Sequence, residues 1–243
     1  VITSGVPDDM VAALRSRTAV LAHERTLPVL AALSAVVPDA TLVRGQVVVV
    51  RGVADVSLAL AVAAEPTRTG SWLAVVERSD VFELGGDAAD ELGVVLERVV
   101  VVTLPHPSTA SRGDGVVAEA LATLIEGFDV VMMPVGIALA PRAVRRLQAR
   151  LRTRGGVLIV VGGSGAWQPD LVLWSTPVGA CGGWVDVDGT GRLVRRRLVI
   201  EVEARRRGGS TRHGLWLPDA HGGVEPDVGT QPPESFVSMA GTG

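Results

Sequence analysis

The chain has 243 residues, 47% of them apolar, and a formal net charge of −3; this suits one large domain plus tails, with enough apolar side chains for a sizeable core. All 23 basic residues are arginine, which excludes a lysine phosphate cradle, a lysine Schiff base and a lysine general base. The single cysteine, Cys181, excludes an internal disulfide and a cysteine-rich zinc site and suits a reducing cytoplasm. No apolar run reaches the roughly 18 residues of a bilayer span. No leader is visible, but the sequence begins at Val1, which leaves the native start open.

The net charge conceals an asymmetry. Residues 1–134 carry 9 Arg and 17 acids, residues 135–217 carry 14 Arg and 5 acids, and residues 218–243 carry 4 acids and no Arg. The basic block is the part of the chain a binding function would use.

In chain order, residues 8–24 read as a helix with Met10, Val11, Leu14 and Leu21 near one face, ended by Pro28. A short helix over 29–37 stops at Pro38, and a turn follows over 39–45. Val47–Val50 reads as a buried strand broken by Arg51 and Gly52, with Asp55 as N-cap of a helix over 56–64. Pro66–Gly70 reads as a turn, Trp72–Val76 as a strand, 80–92 as a helix weakened by Gly85 and Gly86, and Val99–Val102 as a strand. After a loop over 105–115, Val116, Val117, Ala120, Leu121, Leu124 and Ile125 form a helical stripe. Val130–Met133 is a strand ended by Pro134; Pro141 opens an arginine-rich helix with Val144, Leu147 and Leu151 inward; Val157–Val161 is a strand followed by Gly162, Gly163 and Gly165.

Five buried strands alternating with helices predict an α/β fold with a mostly parallel central sheet covered on both faces. From Leu171 the style changes: strands over 171–175, 184–187 and 193–202 predict an antiparallel C-terminal extension. The expected organisation is an N-terminal helical segment (1–38), a core domain with a basic C-terminal part (39–217) and an acidic, Gly/Pro-rich flexible tail (218–243).

Strand, glycine, loop and helix at 47–64 stand where a phosphate-binding loop would, but the chemistry differs. Gly52 opens the G-x-x-x-x-G-K-[ST] spacing, and its three closing positions hold Ser57, Leu58 and Ala59. The lysine is a leucine and the magnesium-binding hydroxyl an alanine. Backbone amides at the helix start could still meet an anion, against the charge of Asp55.

Taken together, these segments resemble the RecA recombinase core from about Leu27 to Glu203. Leu42–Val48 is similar to the lead into its nucleotide loop, Glu91–Val99 to the turn into its third strand, and Phe128–Pro134 to its Walker B strand. Against that family, Pro134 stands for the Walker B aspartate, Gly162 and Gly163 for the Asn-Gln pair, and Glu77 lies near the catalytic glutamate. A narrower resemblance is to bacterial ImuA-type proteins of the actinobacterial branch, RecA-like mutasome factors with degenerate nucleotide sites. It rests on Leu27-Pro28-Val29-Leu30, the degenerate loop, Glu91-Leu92-Gly93-Val94 and a late arginine-rich strand before Leu215-Trp216-Leu217-Pro218.

That resemblance implies a pseudo-ATPase with no catalytic residue and no cofactor. It further implies an adaptor in damage-induced translesion synthesis, beside a Y-family polymerase-like partner of the ImuB type and, indirectly, an error-prone C-family polymerase. The alternative is a SulA-type division inhibitor with a stripped RecA-like core. Self-association through residues 8–24 and direct contact with single-stranded DNA are left open.

The candidate contacts are the helix arginines Arg142, Arg145, Arg146 and Arg150, with Arg152 and Arg154 beyond, and Trp167, which could stack on an unpaired base or, as a Trp in a short loop more often does, anchor packing or a protein interface. Arg195 and Arg197 would share one strand face and Arg196 the other. Leu215, Trp216 and Leu217 are the candidate partner-binding segment, Trp216 its hot spot. His23, His106, His213 and His221 have no ligand spacing, so no metal is expected.

Overall fold

The computed structural model describes residues 25–78, 83–104, 113–137, 139–187, 191, 193–205 and 208–229. The helix expected over 8–24, His23, His106 and the C-terminal 14 residues lie outside the described residues.

The chain opens with β1 (Thr26–Pro28), antiparallel to β2 (Thr41–Val43). Between them stand two single 3-10 turns, Ala31–Leu33 and Pro38–Ala40, in place of the helix expected over 29–37. Prolines at both ends leave too few residues to repay helix nucleation. Leu27, Leu33, Val36 and Val37 are buried in the main core. Residues 27–37 are therefore part of that core, not a separate N-terminal segment.

The next elements are β3 (Val47–Gly52), α1 (Asp55–Arg68), β4 (Leu73–Glu77), α2 (Gly86–Glu91), β5 (Val99–Thr103), α3 (Gly113–Gly127), β6 (Val130–Pro134), α4 (Pro141–Arg154) and β7 (Val157–Val161). Then follow β8 (Leu171–Pro177), β9 (Trp184–Val187), β10 (Leu193–Ala204), β11 (Ser210–Trp216) and β12 (Glu225–Pro226). One sheet runs β12-β11-β10-β8-β3-β7-β6-β4-β5, with β9 paired to β10 off that path. From β8 to β5 every neighbour is parallel; β8, β10, β11 and β12 pair antiparallel. The fold is thus α/β with a mostly parallel sheet and an antiparallel C-terminal extension.

The valine run of β3 follows from burial on both faces, whereas β5, expected as a buried strand, lies at the edge of the sheet with Val100 and Val101 exposed. Val48 and Val50 join the core under α1 with Leu58, Ala61 and Val62, while Val47 and Val49 join the opposite core with Leu121, Ile125, Val144 and Leu147 of α3 and α4. Alternate side chains thus enter different cores, so no position tolerates a polar residue.

Three local expectations change. Helix α1 continues through Pro66 to Arg68 where a turn was expected. Its last turn is held by Thr67 Oγ1 donating to the Ala64 carbonyl at 2.7 Å and by Thr69 N donating to the Glu65 carbonyl. Helix α2 shrinks to six residues behind Gly85. The tail expected to be flexible from 218 instead folds through 229: Asp219 Oδ1 accepts from the amides of His221 and Gly223, and β12 pairs with Leu215 and Trp216. Among the described residues no helix is long and apolar enough to cross a membrane.

Candidate functional site

The C-terminal ends of β3, β6, β7 and β8 meet where parallel sheets bind ligands, outside the carboxyl ends of the strands. The residue that decides what happens there is Ser175 of β8, in register with Gly52 of β3. Gly52 has φ 114°, a conformation that side-chain-bearing residues rarely adopt, and a Cβ placed on it would lie 2.0 Å from the Ser175 carbonyl oxygen. Only glycine permits this approach.

The approach occupies the loop. Val53 N donates to the Ser175 carbonyl at 3.2 Å, Ala54 N donates to Ser175 Oγ at 3.3 Å, and Ser175 Oγ donates to the Arg51 carbonyl at 3.3 Å. From β10, Arg196 donates to the Val53 carbonyl at 2.9 Å and to the Gly182 carbonyl at 2.8 Å, its guanidinium 5.3 Å from the Trp184 ring centre. A phosphate cradle needs its backbone N–H groups pointing outward and unspent. Here the amides of Val53 and Ala54 are consumed within the chain, and only two residues separate β3 from α1.

Leu58 and Ala59, at the lysine and hydroxyl positions, are fully buried on the inner side of α1, and Ser57 is half-buried. Asp55 is not the N-cap. Ala54 holds that position without a side-chain bond, and Asp55 is the first residue of α1, its Oδ1 accepting from Val56 N at 2.8 Å. Burial pushes its carboxyl above the usual range, an effect its hydrogen bonds only partly offset. Asp55 Oδ2 and Val135 close round Gly162, at the end of β7. Pro134 ends β6 buried and paired with Val161. The Glu77 carboxylate is spent on Leu84 N.

The six arginines of α4 do not form one patch. Arg142, Arg146 and Arg150 line an open groove against α3, floored by Ala118, Ala122 and Ala143; Arg150 also pairs with Glu126 at 3.2 Å. Arg152 lines a smaller cleft with Asp170, Leu171 and Ala204 on the other side of the helix, and Arg145, seven residues earlier, shares that side. Arg154 donates to the Glu126 carbonyl.

Trp167 is 6% exposed and packs in the core beneath α4, so it cannot stack on a base; the apolar interior outcompetes its short loop. Leu215 and Leu217 are fully buried in the other core and offer a partner nothing, whereas Trp216 points to the opposite face. There the guanidinium groups of Arg195 and Arg197 lie 4.5 and 5.7 Å from its ring centre. Asp227 accepts from Arg197 Nε at 2.7 Å, which holds its carboxyl below the usual range.

The sequence reading missed Ser175, Arg196 as a lock on the loop, and the pairing of Arg51 with Trp174, whose ring centre lies 4.6 Å from the guanidinium. The one available signal was a serine directly after the apolar run Leu171–Trp174. Among the described residues no group of three or more His, Cys, Asp or Glu side chains could hold a metal.

With this geometry in place, comparison with known proteins adds three facts. The crystal structure of the RadB recombinase has a similar fold, with a TM-score of 0.56 and 15% identity over 81% of this chain and 96% of that chain. That likeness shows a RecA-like fold. Residues 35–169 match the profile of the MT3502 N-terminal domain. No curated protein matches the chain.

Proposed function

The chain belongs to the MT3502 N-terminal domain family, and from that premise and its RecA-like fold we propose that it is a non-catalytic adaptor of translesion DNA synthesis. In this reading it holds a Y-family polymerase-like protein of the ImuB type, and through it an error-prone C-family polymerase, on damaged DNA. The observation that carries the non-catalytic part is the loop after β3. Its Val53 and Ala54 amides are spent on Ser175, its lysine position is the buried Leu58, and Pro134 stands at the magnesium-coordinating position. Phosphoryl transfer is almost wholly positioning and electrostatic stabilisation by those groups. What remains is a stable RecA-like body with arginine-bearing surfaces, suited to holding other macromolecules together.

The test pairs capture with calorimetry. The full chain is expected to retain the ImuB-type partner on affinity resin at moderate salt, and titration with ATP and magnesium is expected to give no heat of binding. DNA-stimulated ATP hydrolysis by the purified chain would overturn the reading. Failure to capture the partner, combined with blocked assembly of the division GTPase, would replace it with the SulA-type alternative.

A further inference from the structure

The antiparallel part of the sheet has one face that, beyond Val172 at the start of β8, belongs to neither hydrophobic core. Leu198, Ile200, Val202 and Leu215 enter the core under α1, so strand alternation turns their neighbours the other way. On that outward face stand Trp174 of β8, Arg195, Arg197 and Val199 of β10, and Gly214 and Trp216 of β11. Register sets Trp174 opposite Glu201 and Trp216 opposite Arg197. Two strand spacings across and four residues along place the two indoles about 17 Å apart.

Each indole is paired with arginine. Arg51, beside Trp174 in the ladder, holds its guanidinium 4.6 Å from that ring centre. Arg195 stands 4.5 Å and Arg197 5.7 Å from the Trp216 ring centre. Trp174 is nonetheless 42% exposed. The Nε of Arg51 is buried without an acceptor, a donor that native interiors rarely leave unpaired.

The charge balance favours an anion. The face and the adjoining side of α4 carry Arg51, Arg145, Arg152, Arg195, Arg197 and Arg212, against Asp170, Glu201, Glu203 and Asp227. Glu201 is paired with Arg212 at 3.3 Å, and Asp227 already places an oxyanion on Arg197. A protein interface of ordinary affinity wants a contiguous apolar centre; between these tryptophans Val199 is the one large apolar side chain, among Arg197, Glu201 and Arg212, and Asp227 lies against Gly214. Planar rings at intervals among guanidinium groups match the stacking platform and cationic track of single-strand binders.

We propose that this open face of β8, β10 and β11 is a single-stranded nucleic-acid site, with bases stacking at Trp174 and Trp216 and phosphates meeting Arg51, Arg195 and Arg197. It lies apart from the degenerate loop and from the groove between α3 and α4. The inference rests on the adaptor reading only in supposing that the adaptor touches DNA itself, and its test needs no partner protein.

The probe is a fluorescein-labelled oligothymidylate of about 20 nucleotides, titrated with the full chain at roughly 50 and 200 mM salt. Anisotropy is expected to report binding that weakens as salt rises, with quenching of tryptophan fluorescence. Trp174→Ala is expected to weaken binding roughly fivefold or more with an unchanged unfolding midpoint, since its ring lies outside the cores. Arg195→Gln is expected to lower the salt dependence, and Arg146→Gln, in the α3–α4 groove, to leave affinity unchanged. No binding at the lower salt, affinity indifferent to Trp174→Ala, affinity lost with Arg146→Gln instead, or equal affinity for a blunt duplex would each overturn the proposal. So would a Trp174→Ala chain that keeps the oligonucleotide but loses the polymerase-like partner, which would give the face to protein. A chain that captures the partner yet ignores the oligonucleotide leaves the adaptor reading intact.

Discussion

Gly52→Ala is the sharpest test of how the loop is closed. The methyl would stand 2.0 Å from the Ser175 carbonyl oxygen and 2.7 Å from Ser175 Oγ, where ordinary contact begins at 3.4 Å. Strands β3 and β8 must therefore part by more than an ångström at that point. Separation breaks the bonds from Val53 N and Ala54 N to Ser175 and leaves the nearly buried Ala54 amide unsatisfied, at about 1–3 kcal/mol. The positive φ adds about 1–2 kcal/mol for a residue with a Cβ. Together the substitution should cost about 2–5 kcal/mol, a large share of the roughly 5–15 kcal/mol that holds a domain together. Gly70 supplies the control: its φ is 104°, yet a Cβ there meets nothing within 4 Å, so Gly70→Ala should cost only the conformational part. Urea unfolding followed by tryptophan fluorescence and far-UV circular dichroism measures both. Equal destabilisation of the two variants would refute the account of the loop as sealed by Ser175.

The remaining predictions concern charge and core. Because burial raises the Asp55 pKa above that of an unfolded-chain aspartate, the folded state binds the proton more tightly, and stability falls as pH rises through that raised value; Asp55→Asn should raise the melting temperature at pH 7, with the gain vanishing in acid. Asp227 behaves oppositely. Its pKa is lowered by the hydrogen bond from Arg197, so its contribution is present above the unfolded value of 3.8 and lost as pH falls through the lowered one; Asp227→Asn should destabilise at neutral pH and converge with the parent in acid. Trp167→Ala should cost about 3–5 kcal/mol in urea unfolding, and a near-neutral result would contradict its place beneath α4.

The parallel half of the fold was legible because its signal is local: valine runs at 47–50, 99–102 and 157–161 have one reading once helical stripes separate them. Pro134 and Leu58 were equally plain, since a missing functional group is visible in the letters. What escaped was set by partners far along the chain. Strand β11 has only Leu215 as a large fully buried residue within its span, too little for a period-2 pattern to stand out. The inward turn of Trp167 depends on α4, which its single letter does not show, so the packing and stacking readings both stood until the helix was placed. The arginines of α4 were grouped only as candidate contacts on one helix, because the split between its two sides depends on which neighbours flank it. Trp174 passed as an ordinary strand residue, since nothing nearby in the sequence announces Arg51 beneath it.

The bond between Ser175 and the loop joins residues more than a hundred positions apart, and this bears on how the chain is made. A ribosome emits Gly52 long before β8, and closing so long a loop costs entropy before any contact repays it. Until Ser175 emerges, the amides of Val53 and Ala54 face water, and β3 presents an open edge on the side that β8 will fill. In that interval the loop after β3 has its amides unspent, as a working nucleotide site requires. Vectorial synthesis ends that interval when β8 docks, so the seal on the loop also records that the chain has reached its C-terminal third.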